Sequence, residues 1–242
     1  MEKTDKKIEN IQEQIKIIFL KNDSKISSNT EQKINEILDE KIGKKILIDN
    51  IIKRYKNSNE KIKIIDGFIY QKILETQDNK LINELISHMP KGIMNLEKQM
   101  RLNYQPLQNL LIKKEFKEAD KLTQKYLCTL AEKQTNKIKH WLYFTDIQFI
   151  PKSEIFQIDL LWKTYSKGRF GFSIQKNIWI QNNKKWDKLW EKINWTEINT
   201  GIMKRYPQEF NWTINAPEGH LPLFNQLRGT QTLSYLFKKI DW

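Results

Sequence analysis

Three histidines, one cysteine and a scatter of acidic residues are the first places to look for chemistry in this 242-residue chain. His88, His140 and His220 have no second histidine or cysteine at the spacing that a metal site requires. Asp146, Glu154, Asp159 and Glu218 stand near the ring-rich second half, but no pair of them has a spacing that singles out an acid and a base. A phosphate loop, a dinucleotide fingerprint and a Gly-x-Ser-x-Gly elbow are all missing from the sequence. The pattern therefore points away from an enzyme. What stands out instead is Gly168-Arg169-Phe170-Gly171-Phe172-Ser173. Two glycines permit backbone angles that other residues avoid, and two phenylalanines sit where a surface loop is normally polar. Such rings either plug a core or line a pocket, and the local pattern leaves both open. His220, flanked by Gly219 and Pro222, reads as a residue that hydrogen-bonds loop backbone.

The elements that must position these residues are helical. Ile155, Ile158, Leu161, Trp162 and Tyr165 form a stripe that leads into the glycine turn and predicts a helix from about Lys152 to Tyr165. Beyond the turn, Ser173 is a candidate cap for a short helix through Trp179, although the alternation Phe170, Phe172, Ile174 also fits a strand. Trp186, Leu189, Trp190 and Ile193 predict another amphipathic helix. Residues 199–222 are loop-rich, and a last helix runs from about Asn225 toward Phe237. Upstream, residues 104–132 read as a helical hairpin turning at Lys113-Lys114-Glu115-Phe116. Five further helical segments precede it, the second capped by Asn29 and stopped by Gly43. Their lengths suggest a helical bundle or a HEAT-like stack. His88-Met89-Pro90-Lys91-Gly92 marks the boundary, giving domains 1–90 and 91–242. All eight tryptophans lie beyond it, so the first domain buries aliphatic side chains and the second buries rings.

The net charge is +13, yet only five of the 42 basic residues are arginine. A protein that reads nucleic-acid bases leans on arginine forks, and here the excess is scattered lysine. Isoleucine, lysine and asparagine use AT-rich codons, so part of the charge reflects codon bias. Cys128 alone cannot form an internal disulfide and reads as a small core residue in a reducing compartment. The N-terminus resembles neither a signal nor a transit peptide, and no apolar run approaches the length of a membrane span.

Several stretches resemble the genomes-uncoupled-four family. They are Tyr165-Ser166-Lys167-Gly168-Arg169-Phe170-Gly171-Phe172-Ser173-Ile174-Gln175, Trp141-Leu142-Tyr143-Phe144-Thr145, Phe116-Lys117-Glu118-Ala119-Asp120, Ala216-Pro217-Glu218-Gly219-His220-Leu221-Pro222 and Asn225-Gln226-Leu227-Arg228-Gly229. They occur in order over roughly residues 104–242. The resemblance implies an all-α fold, with an N-terminal helical bundle or HEAT-like domain followed by an all-helical, cupped tetrapyrrole-binding core. It also implies loop and helix, not strand, at Phe170–Ile174.

The resemblance further implies binding of protoporphyrin IX and magnesium protoporphyrin IX and activation of magnesium chelatase in chlorophyll biosynthesis. No catalytic residue, bound metal or required cofactor goes with that role. Phe144, Ile147, Phe170, Phe172, Tyr206 and Phe210 would supply an apolar palm, and Asn225 and Arg228 would supply polar contacts to the porphyrin carboxylates. The family often has tryptophan at the position of Tyr206 and arginine at that of Gln231. The implied partner is the large porphyrin-binding chelatase subunit, with peripheral membrane association, no nucleic acid and a monomeric state. The implied location is the plastid stroma, with a plastid gene; a cyanobacterial cytoplasm is the alternative. Two other readings are a basic helical nucleic-acid-binding protein and a scaffold built on the N-terminal helices.

Overall fold

The computed structural model describes residues 2–242 apart from 22, 58–61, 95–99, 136–137, 139, 198–199 and 224–229. Among the described residues the regular structure is helical, with eleven α-helices, one 3-10 helix and an isolated antiparallel bridge between Thr196 and Met203. The chain divides into two compact units, Met1–Asn95 and Leu96–Trp242.

The first unit contains α1 (Glu2–Leu20), α2 (Ser28–Asp39), α3 (Lys41–Lys56), α4 (Ile64–Leu74) and α5 (Asn79–His88). The spacing of three and four along α1 places Ile11, Ile15, Ile18 and Phe19 inside. The α3 helix packs against α1, α2, α4 and α5, so the five helices gather round one hub. A buried charge pair closes this unit. Arg54 grips Asp66 through Nε at 2.9 Å and Nη2 at 3.2 Å, and its guanidinium lies 4.7 Å over the Phe19 ring.

Two local expectations change. The cap of α2 is Ser27, whose hydroxyl accepts the Thr30 N–H at 3.2 Å, so Asn29 lies inside the helix. Gly43 does not stop a helix but sits inside α3, where a Cβ would fall 2.2 Å from the Ile37 carbonyl oxygen. Glycine is required there by the close approach of α2.

The second unit contains α6 (Gln105–Ile112), α7 (Phe116–Thr135), the 3-10 helix Phe144–Phe149, α8 (Lys152–Thr164), α9 (Phe172–Gln181), α10 (Trp186–Lys192) and α11 (Thr230–Lys239). The α6–α7 hairpin turns at Lys114, which adopts φ +59°, and the Glu115 N–H closes the turn onto the Leu110 carbonyl at 2.9 Å. Helix α8 runs through the core. Its Trp162 donates to the Thr123 hydroxyl at 3.0 Å, and Tyr165, just past its end, donates to Gln108 Oε1 at 2.9 Å. Glu154 accepts the Tyr104 hydroxyl and, at 2.7 Å, the Arg101 N–H. Cys128 is buried among the core residues of α7.

Candidate functional site

The glycine turn and the loop 216–222 form one stitched structure. Helix α8 ends when Gly168, at φ +76°, donates its N–H to the Lys163 carbonyl at 2.9 Å. The Ser166 hydroxyl then accepts the Phe170 N–H at 2.9 Å. Gly171 adopts φ +139°, and a Cβ there would lie 2.7 Å from Asp159 Oδ1. That carboxylate instead accepts the Ser173 N–H at 2.8 Å and so caps α9 from another helix. Ser173 is thus not the cap that its sequence position suggests; α9 begins at Phe172, after Gly171.

Across the gap, Gly171 N–H donates to the Leu221 carbonyl at 3.0 Å and Gly219 N–H to the Arg169 carbonyl at 2.8 Å. Arg169 Nη2 reaches the Ala216 carbonyl at 2.7 Å. Gln175 Nε2 donates to the carbonyls of Gly219 and Pro222 at 2.9 and 2.8 Å. Two stretches that are far apart in sequence are therefore joined by two backbone bonds and by three side-chain bonds to backbone carbonyls.

Within this frame, Phe170 and Phe172 are fully buried. Phe170 meets Phe116 edge-on at 5.4 Å and Trp162 at 6.4 Å, and Phe116 stacks on Trp162 at 6.0 Å. Of the two roles open to these rings, the structure places both in the core.

Phe144 and Ile147 lie on the 3-10 helix, which Asp146 caps by accepting the Tyr143 N–H at 2.9 Å. This helix packs on α7 and α11. Ile147 points inward, whereas Phe144 is 36% exposed and rests against Tyr235 of α11 at 5.2 Å.

Tyr206 and Phe210 lie on the long loop. Phe210 is buried between His220, at 5.6 Å, and Trp212, at 6.4 Å. Tyr206 is 37% exposed and meets Trp212 edge-on at 5.9 Å. Burial raises its phenol pKa above the usual value, and the carboxyl groups of Asp120 and Glu118 on α7 add to that shift. Asn225 and Arg228 lie outside the described residues. The two exposed candidate rings are thus Phe144 and Tyr206, with Ile147, Phe210, Phe170 and Phe172 behind the surface.

Some features of this unit are not apparent in a linear reading. Asp120 is buried and accepts the Leu223 N–H at 2.6 Å. Tyr235 supplies the ring that Phe144 rests on. Trp186, Trp190 and Trp195 stack in series at 5.4 and 5.2 Å, with Phe237 at 5.9 Å from Trp186. The spacing of Trp186 and Trp190 signalled one helix face, but the contact with Phe237 depends on tertiary structure. An open cleft of about 730 Å³ is lined by Asp187, Trp190, Glu191, Glu197, Gly201 and Pro217 among others, and it includes none of the candidate residues. Among the described residues there is no cluster of three potential metal ligands and no helix long and apolar enough to cross a membrane.

The GUN4-like family model matches residues 97–240. The ycf53 protein of Pyropia yezoensis is 41% identical over 221 residues, covering 89% of this chain and 92% of the relative. The Ycf53-like protein of Synechocystis is 36% identical over 200 residues, covering 83% of this chain and 84% of its own length. The chloroplastic tetrapyrrole-binding protein of Arabidopsis thaliana is 35% identical over 134 residues, covering 52% of this chain and 50% of that protein. The solved structure of GUN4 from Chlamydomonas reinhardtii superposes with a TM-score of 0.52 at 36% identity, over 60% of this chain and 92% of that one.

Proposed function

Because this chain belongs to the GUN4-like family, we propose that it binds protoporphyrin IX and magnesium protoporphyrin IX without chemically transforming them and that it activates magnesium chelatase. The observation that carries this reading is the likeness of the ring-rich unit to a relative that is named for tetrapyrrole binding. The surface chemistry is compatible. A porphyrin is a flat apolar plate with two carboxylates on one edge, and Phe144 and Tyr206 are candidate rings exposed to solvent. Burying about 400 Å² of such a plate is worth roughly 10 kcal/mol gross, before association costs. The carboxylates call for cationic or amide partners, and Arg228 and Asn225 are the residues we assign to them. The partner in this reading is the large porphyrin-binding subunit of the chelatase, and the scattered lysines favour peripheral contact with anionic lipid. The site of action is the plastid stroma.

Quenching of tryptophan emission by deuteroporphyrin tests the binding step. The expected result is saturable quenching at micromolar ligand, and its absence rejects the reading. Chelatase turnover, with and without this protein, tests the second step separately.

A further inference from the structure

Most of the buried carboxyl groups in this protein have an evident structural task. Asp66 pairs with Arg54. Glu154 takes the Tyr104 hydroxyl and the Arg101 N–H. Asp159 receives the Ser173 N–H, Lys163 and the Trp242 indole. Asp146 caps the 3-10 helix. Asp120 differs from these. It is 4% exposed, and among the described residues its one hydrogen bond is the Leu223 N–H, with no cation paired to it. A buried carboxylate with one donor and no counter-charge is costly, and the group relieves that cost by holding a proton.

Its position is also distinctive. The Tyr206 phenol, one of the two exposed candidate rings, lies within electrostatic reach of Asp120 and of Glu118 on the same helix. Leu223, to which Asp120 is tied across 103 residues of chain, immediately precedes the stretch that carries Asn225 and Arg228 in sequence.

We propose that Asp120 is a positioning residue of the porphyrin site, anchoring Leu223 through its backbone N–H, and that binding of a tetrapyrrole dicarboxylate is coupled to proton uptake by this carboxyl. The proposal rests on the porphyrin-binding reading above. The physical reason is like-charge repulsion in a poorly solvated place. Bringing a dianion near Asp120 disfavours its ionised form, so a protein that has lost this proton must regain it on binding. Either protonation state keeps an oxygen available to the Leu223 N–H, so the anchor survives the exchange.

Burial pushes the carboxyl pKa up to about 8, against the lowering effect of the Leu223 N–H. Affinity is therefore level below that pH, where the proton is already present, and falls above it by up to about tenfold per pH unit for one proton. Of the other groups facing this position, the Tyr206 phenol is held above its usual value of 10, by burial first and then by the nearby carboxyl groups.

Deuteroporphyrin titrations of the full chain between pH 6.5 and 9.5, with calorimetry in buffers of different ionisation enthalpy, test this directly. Wild type is expected to weaken above about pH 8 and to take up close to one proton per ligand at pH 9. Asp120→Asn keeps an acceptor for Leu223, so it should bind like wild type at pH 6.5 and remain level to pH 9.5. Asp120→Ala should bind more weakly at every pH. Identical pH profiles for wild type and Asp120→Asn, or no proton uptake by wild type, overturn the proposal and leave porphyrin binding intact. No saturable quenching of wild type at any pH overturns both.

Discussion

His220 presents Nδ1 to the Ile193 carbonyl at 2.6 Å, and this contact decides the tautomer of the ring. A carbonyl only accepts, so Nδ1 carries the hydrogen and Nε2 is left to accept the Asn211 N–H at 3.1 Å. The neutral imidazole therefore ties the end of α10 to the loop that carries Phe210, against which its own ring packs. Replacing His220 with alanine leaves buried polar groups unmatched and opens a space beside Phe210. The expected loss is about 2–4 kcal/mol in urea unfolding.

Burial of the same ring predicts a pH dependence. Burial holds the His220 pKa below its usual 6.5, so the unfolded chain binds this proton more readily than the folded one. The stabilisation is fully present above about pH 6.5 and is lost as pH falls toward the folded-state pKa. Protonation of Nε2 also removes the acceptor for Asn211. Amide exchange at Asn211 is expected to accelerate between pH 7 and pH 5, after correction for the intrinsic rate, more than exchange in the middle of α7.

Core and surface rings should separate in mutagenesis. Phe170→Ala removes a fully buried ring between Phe116 and Trp162 and should cost about 3–5 kcal/mol of stability. Phe144→Ala, at a half-exposed position, should cost about 1 kcal/mol or less but weaken deuteroporphyrin binding about tenfold. Chemical denaturation and quenching titrations on both variants check the pair. Equal binding by Phe144→Ala and wild type would remove that ring from the site.

The two departures from the family pattern offer a gain-of-affinity test. Gln231 is exposed near the start of α11, and Tyr206 is half-exposed. Gln231→Arg and Tyr206→Trp add a cation and a larger ring, and each is expected to tighten porphyrin binding by about 1–2 kcal/mol. Unchanged dissociation constants would show that neighbouring lysines already do this work.

The division of the chain predicts that porphyrin binding survives loss of residues 1–90, since every candidate site residue lies beyond it. Near-wild-type quenching by the shortened protein is the expected outcome. Loss of binding with retained helicity would move part of the site into the first unit.

Periodicity alone specifies most of the helices of this protein, although at Phe170–Ile174 it fits a strand as well. Spacings of three and four along α1, α8 and α10 each specify one buried face, and that information is local. The glycines around Phe170 likewise announced a turn, because positive φ excludes most side chains. The family motifs all lie in the second unit. Other properties depended on partners distant in sequence. Gly43 has the local pattern of a helix stop, but the Ile37 carbonyl packed against it is what requires glycine. Ser173 has the local pattern of a cap, but Asp159 fills that role from another helix. Whether Phe170 lined a pocket or filled a core depended on Phe116 and Trp162 closing round it. The character of Asp120 was hidden in the same way, since burial and a single N–H from Leu223 set its proton affinity, and neither is a property of the residues beside it in the chain.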